Sequence, residues 1–326
     1  MELHIVGTNA ITYPAMHVWD WRVASYLFLG GLCGGLMTMS AVNYIRRPSK
    51  KPSVDTANAW KIPVLIPILL TIGLIFLNLD LERPFHAFWF YLAFKPVSPM
   101  SWGAWIVLII YPLLIAYALA ALPDDIRSNI KYPSIRNAAE FLKPHLIKLA
   151  KANVIAGVLL AIYTGVLLSS LVARPLWSTP ILPVLFLTSG MSTGAALMII
   201  LAKTKEMKLF FTKIDVWLII AELIILLLMF YGHYVGDAAH QQAIAPFFST
   251  SHEFFPYFFS IIVLGTCLPL AVILKFLEVT GDHTEELSTS SLMMMNFSAV
   301  LVLLGGAIVR FALVYAGQLS GYSAYM

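Results

Sequence analysis

The sequence predicts an all-α integral membrane protein: a single membrane domain over 1–326, with eight transmembrane helices arranged as helical bundles and the N and C termini extracytoplasmic. Three observations predict it. The 326 residues have a mean hydropathy of +0.82, with 60% hydrophobic and 12% charged residues, whereas an ordinary soluble domain carries about 25% charged residues. Eight runs reach the roughly 20 apolar residues that a membrane-crossing helix needs. Lysine and arginine gather in alternate connections, as the positive-inside rule requires of cytoplasmic loops. Aromatic residues at 13% exclude disorder, and a net charge of +4 on 21 basic residues is too modest for nucleic acid as the main partner.

The spans follow in order. The first, 22–44, carries Gly30, Gly31, Gly34 and Gly35, two overlapping pairs of small residues one turn apart that let a helix or a flat ligand approach the backbone. Trp19, Asp20, Trp21 and Arg22 form its outer rim, and Tyr26 lies just inside. The second, 61–79, ends at Asp80 and Glu82, followed by Arg83, residues suited to interfacial capping or to proton exchange. The third is 103–122, and the basic 122–151 connection after it reads as an amphipathic surface helix. The fourth, 152–171, places Tyr163 about two turns below the outer surface. The fifth, 181–202, opens in the proline-rich Arg174-Pro175-Leu176-Trp177 stretch.

The sixth span, 214–233, holds Glu222 eight or nine residues from its cytoplasmic end. A charge in hydrocarbon is costly, which makes Glu222 either a proton-relay carboxyl or a hydrogen-bonded structural acid. The seventh, 256–277, is interrupted by Gly265 and Pro269, which membrane helices tolerate where neighbours take up the freed carbonyl. The eighth, 293–316, holds Arg310 in the outer third of the bilayer, where it either binds an anionic or carbonyl oxygen or pairs with an acid. By depth alone, Tyr26, Tyr163, Arg310 and Trp102 share one outer layer.

Orientation rests on the basic residues. Arg46, Arg47, Lys50, Lys51 and Lys61 follow span one; Arg127, Lys131, Arg136, Lys143, Lys148 and Lys151 follow span three. Lys203, Lys205, Lys208 and Lys213 follow span five, and Lys275 follows span seven. These connections are therefore cytoplasmic. The opposite loops are rich in aromatics and histidines: 85–94, and 231–258 with His233, Asp237, His240, His252 and Glu253. That density exceeds an interfacial aromatic belt and points to a docking surface or a covered pocket on the outer face. The first 18 residues include Glu2 and lack a basic segment leading into an apolar core, so no cleavable signal peptide is expected.

Two cysteines, Cys33 and Cys267, cannot build a disulfide framework, a zinc ribbon or a four-thiolate cluster. A transmembrane haem b needs facing imidazoles within the helices. His4, His17, His86, His240 and His252 lie in outer segments, His145 and His283 are cytoplasmic, and only His233 borders a span. No haem, iron–sulfur cluster or other metal site is expected in this protein. If it handles electrons, their carrier is a diffusible lipid-phase molecule and any cluster belongs to another polypeptide.

Three stretches together resemble the NrfD/PsrC family of polysulfide-reductase-type membrane quinone subunits. They are Trp19-Asp20-Trp21 through Tyr26 to the Gly30–Gly35 cluster; Arg83-Pro84 followed by the run from Phe94 through Ser98-Pro99-Met100-Ser101-Trp102-Gly103-Ala104-Trp105; and Tyr163-Thr164-Gly165 followed by Arg174-Pro175-Leu176-Trp177 and Leu182-Pro183. The ending from Arg310 to Gln318 also looks like the family's last helix. The resemblance implies a haem-free prokaryotic plasma-membrane protein that binds menaquinone or ubiquinone near the outer face. It also implies electron exchange with a ferredoxin-like iron–sulfur subunit, beside a molybdopterin or multihaem catalytic subunit. Quinone contacts carried over from the family fall on Tyr26 and Tyr163, with Gly30, Gly34, Trp102 and Arg310 as further cofactor-binding candidates. The polysulfide reductase type has a histidine where Tyr26 stands. Tyrosine donates to a carbonyl but accepts protons poorly at neutral pH, so the base falls to Asp20, Glu82 or His86. Asp80 and Glu222 are the proton-pathway candidates. The competing reading is an eight-span secondary transporter or channel built around Glu222 and Arg310; a structural anchor with a decayed quinone site is a third.

Overall fold

The computed structural model describes residues 19–46, 59–92, 94–280 and 289–320. His4, His17, Arg47, Lys50, Lys51 and His283, with the reading of the first 18 residues, lie outside the described residues. Among the described residues every regular element is helical. Eight helices among these residues are long and apolar enough to cross a membrane: α1 (Trp21–Arg46), α2 (Lys61–Asp80), α3 (Pro99–Ala121), α4 (Leu146–Ser169), α5 (Ile181–Leu201), α6 (Lys205–Tyr234), α7 (Phe255–Lys275) and α8 (Thr289–Leu319).

These agree with the eight expected spans, and the ends differ for physical reasons. Pro99 opens α3 four residues early, because proline at the first helical position loses no hydrogen bond. At α6 the Thr204 hydroxyl accepts from the Met207 N–H and starts the helix nine residues before the apolar run. Along α7 the backbone is π-helical from Ser260 to Cys267, with the Leu268 N–H bonded five residues back to the Val263 carbonyl. Pro269 supplies no N–H to the ladder, which accounts for the irregularity there. The 122–151 connection folds as short helices, Asp124–Ser128 and the amphipathic Pro133–Leu142. Asp124 holds Lys143 at 2.6 Å and Arg127 at 2.8 Å.

Helices α1–α4 form one bundle and α5–α8 a second, with α1 packed against α5 and α8 as well as against α2 and α4. The glycines of α1 make this central position possible. A Cβ on Gly34 would stand 2.6 Å from the Gly157 carbonyl oxygen of α4, and one on Gly35 would meet Gly190 and Gly194 of α5. Backbone meets backbone on two sides of the same helix, the close approach that small residues permit. Gly265 of α7 and Gly305 of α8 repeat the device in the second bundle.

The Arg174-to-Trp177 stretch is a clamp on the end of α8. Arg174 Nη1 donates to the carbonyls of Gln318 and Ser320, both at 2.8 Å, and Trp177 Nε1 donates to Leu313 O at 2.7 Å. Gln318 in turn pairs with both backbone groups of Trp19, whose ring stacks on Trp177 at 5.3 Å between centroids.

Candidate functional site

A cavity of about 330 Å³ lies inside the first bundle, at the end away from the basic connections. Tyr26 from α1, Asn78 and Asp80 from α2, Gly103 from α3 and Tyr163 from α4 line it, and Trp19 closes its rim. Most of the remaining wall is aliphatic, with Val23, Leu74, Leu77 and Leu167 among the lining side chains. An apolar chamber of this size with a few convergent polar groups has the general form of a small-molecule site; such pockets run from about 300 to 1,000 Å³.

Three phenols define its polar side. Tyr26 and Tyr163 are both buried, and Tyr91 joins them on the cavity wall. The Tyr163 hydroxyl donates to the Pro99 carbonyl at 3.0 Å. Gly103 faces this ring so closely that only a residue without a Cβ fits. At the mouth, Arg22 joins two carboxylates: Nε lies 2.8 Å from Asp20 Oδ2 and Nη2 lies 3.2 Å from Asp80 Oδ1. Arg22 Nη1 also donates to the Leu79 carbonyl, closing the C-terminal end of α2. Asp80 lines the cavity, and Asp20 is one guanidinium further out.

A second, more open recess of about 580 Å³ adjoins the cavity and shares Leu81 and Met100 with it. Glu82, Arg83, His86 and Lys95 line it. The short helices Pro84–His86 and Trp89–Leu92 overhang this side, with Phe85, Phe88, Trp89 and Leu92 exposed.

Of the candidate residues, the fold brings Tyr26, Tyr163 and Asp80 to one chamber, Asp20 to its mouth, and Glu82 with His86 to the adjacent recess. It separates the others. Trp102 is 41% exposed and donates through Nε1 to Pro96 O at 2.6 Å. Gly30 packs on Thr164 and Gly34 on Gly157, so both are consumed in helix contacts. Arg310 and Glu222 lie in the second bundle, with α1 between them and the cavity: Arg310 Nη1 donates to Ser189 Oγ and, at 3.1 Å, to Gly306 O, while Nη2 donates to Phe186 O at 3.2 Å. Shared depth therefore does not become a shared chamber. Helical spacing fixes height in the bilayer but leaves the direction across it open.

Sequence reading missed Asn78, Tyr91 and Gly103 at the cavity and Asp215 in the second bundle. Asp215 is fully buried and accepts from Ser192 Oγ at 2.6 Å. Its signal was available: Asp215 and Glu222 are seven residues apart, hence on one face of α6.

Residues 9–320 match the family described as "Polysulphide reductase, NrfD". The protein belongs to this family. It is 27% identical over 315 residues to one of the polypeptides of the polysulfide reductase of Wolinella succinogenes, covering 92% of this sequence and 94% of that one. It is 28% identical over 334 residues to protein NrfD of Escherichia coli strain K12, covering 96% and 98%. A shorter match, 27% over 214 residues, links it to one subunit of the tetrathionate reductase of Salmonella typhimurium, covering 64% and 56%. It is a multi-pass membrane protein of an oxidoreductase family.

Proposed function

We propose that this protein is the quinone-binding membrane subunit of a multi-subunit oxidoreductase in a prokaryotic plasma membrane. In this reading it exchanges electrons between menaquinol or ubiquinol and an iron–sulfur partner on the extracytoplasmic side, in line with the names of its relatives as parts of reductases. The observation that carries the reading is the apolar chamber with Tyr26, Tyr163 and Asp80 on its walls, in a bundle whose family is that of polysulfide reductase. Basic connections at the opposite end support the orientation, with both termini outside.

A quinol is a flat, largely apolar substrate that gives up two electrons and two protons. The aliphatic wall accepts the ring, and the phenols supply hydrogen bonds to its oxygens. Tyr163 turns its hydroxyl from the Pro99 carbonyl to do so, while Tyr26 approaches from α1 across the chamber. The protons leave toward the mouth, where Asp80 and Asp20 flank Arg22, and Glu82 and His86 in the next recess give further sites on a wet surface. The electrons pass to a ferredoxin-like iron–sulfur subunit seated over the exposed aromatics of 85–92, beside a molybdopterin or multihaem catalytic subunit.

Purification of the intact complex tests this. Extraction should recover menaquinone or ubiquinone, and mass spectrometry should find a multi-cluster ferredoxin-like subunit. A solitary protein without bound quinone would defeat the proposal and favour a transporter.

A further inference from the structure

Apart from the basic connections, the cationic residues of the sequence are Arg22, Arg83, Lys95, Arg174 and Arg310. The fold occupies three of them internally. Arg22 joins Asp20 and Asp80, Arg174 holds the carbonyls of Gln318 and Ser320, and Arg310 is buried against α5. Arg83 and Lys95 are left over. Both are exposed, and among the described residues neither side chain has an ion-pair partner. Yet both line the same recess, the one of about 580 Å³ beside the cavity. Glu82 carries the single negative charge on its described lining, so two fixed cations outweigh it. His86 and Ser98 add hydrogen-bonding groups to the wall, and the Ser98 side chain makes no cap bond at the start of α3. Two uncompensated cations on one concave wall attract an anion.

What leads up to the recess is apolar. Ile68, Ile72, Ile75 and Leu79 are exposed along α2. Their steps of four, three and four residues keep them on one helical face. On a membrane-crossing helix, an exposed apolar face lies against acyl chains. The helix stops at Asp80, and Leu81, Glu82 and Arg83 follow directly as lining of the recess, so the stripe runs into it. Trp89 stands exposed on the recess wall, with Phe88 stacked on it at 5.3 Å between centroids. Tryptophan concentrates at the level of lipid headgroups, where its ring stays apolar and its N–H stays wet. Charge, depth and apolar approach thus coincide at one place.

We propose that this recess binds one anionic phospholipid, of the phosphatidylglycerol type, from the leaflet opposite the basic connections. Arg83 and Lys95 hold its phosphodiester, and one acyl chain lies along the α2 stripe. The guanidinium forks onto two phosphate oxygens, while the ammonium acts as a compact point charge. A free phosphate would make the head contacts alone; the stripe is what ties the anion to a lipid. The site is separate from the cavity and makes no demand on what the cavity binds.

The test is lysine footprinting of the full-length protein in nanodiscs of phosphatidylcholine, with and without phosphatidylglycerol. Acetylation of Lys95 by a water-soluble active ester is read by peptide mass spectrometry, which separates this site from the basic connections on the other face. Phosphatidylglycerol should slow Lys95 labelling in the wild type by at least about tenfold, the occupancy of a site filled ten to one. Arg83→Gln, which keeps the labelled lysine, should remove most of that protection. Ser98→Asp keeps both cations, adds a carboxylate to the same wall, and should do likewise; it carries the test should Arg83→Gln fail to fold. Equal labelling in both kinds of disc would overturn the proposal, and so would full protection in both variants. Inorganic phosphate protecting Lys95 as well in phosphatidylcholine discs would replace the lipid by a free anion. A carbodiimide cross-link from Lys95 to a carboxylate of a co-purified polypeptide would make the recess a protein contact, and the proposal would fall.

Discussion

Replacing Gly103 by alanine puts one methyl group where the wall of the cavity has no room for it. The added Cβ would stand 2.6 Å from Tyr163 Cζ and 2.9 Å from Cε1, with the hydroxyl oxygen closer still. Carbon atoms rest at about 3.5–4.0 Å, so the ring must give way by roughly 1 Å. Behind Gly103 is the rigid backbone of α3, which leaves the phenol as the part that moves. Its displacement breaks the bond to the Pro99 carbonyl, at about 0.5–1.5 kcal/mol, and overpacking costs about 1–3 kcal/mol more. If quinone needs Tyr163 where it stands, affinity falls by at least about tenfold, the equivalent of roughly 1.4 kcal/mol. The assay is titration of the purified protein with a soluble naphthoquinone, read through quenching of tryptophan emission, since Trp19 lies at the rim. Tyr163→Phe removes the atom nearest the new methyl group, so the double variant should lose less than the sum of the two single ones, the sign of direct coupling. Wild-type affinity in Gly103→Ala, or strict additivity in the double variant, would refute the reasoning.

Other sites give sharper tests of packing and charge. Gly34→Ala should destabilise the protein by about 1–3 kcal/mol or prevent folding, because its Cβ meets the backbone of α4. Gly232→Ala, with open space around the added carbon, should be neutral or stabilising by up to about 1 kcal/mol, and thermal unfolding in detergent separates the two. Arg174→Leu should cost about 2–4 kcal/mol by leaving the Gln318 and Ser320 carbonyls unpaired, and should raise proteolysis near residue 320. The hydrogen bond from Lys143, aided by Arg127, holds the Asp124 carboxyl below its ordinary range. A depressed acid stabilises the fold above its unfolded value of about 3.9 and loses that contribution as pH falls through the lower folded value. The melting-temperature gap between wild type and Asp124→Asn should therefore be small and constant near neutrality and close below about pH 4.

How much of this was legible in the residues divides along physical lines. Hydropathy alone fixed eight spans, because a bilayer demands a minimum apolar length and α2 and α3 meet it without ambiguity. Helix ends were less legible where capping decides them, as at Thr204, whose bond to Met207 extends α6 into a charged stretch. That extension hid Asp215: counted from an apolar run beginning at 214 it looks like an interfacial residue, yet the helix carries it inside. Lateral placement was not legible at all. Tyr163 and Arg310 share a depth, but the glycine contacts of α1 with α4 and α5 put one in each bundle. The same contacts show why Gly30 and Gly34 carry no side chain, which is helix proximity on both sides of α1.

The pairing of Trp19 with Gln318 bears on how the molecule is made. The two residues are 299 positions apart, so a ribosome emits the rim of the cavity long before the residue that holds it. Until α8 is inserted and seated under the Arg174 clamp, Trp19 has neither its backbone partner nor the anchored tryptophan beneath it. A nascent or truncated polypeptide can thus assemble all four walls of the chamber and still lack a fixed rim. If the chamber holds a ligand, its retention becomes a report on complete synthesis, with the eighth helix serving as the latch of a chamber to which it contributes no lining residue.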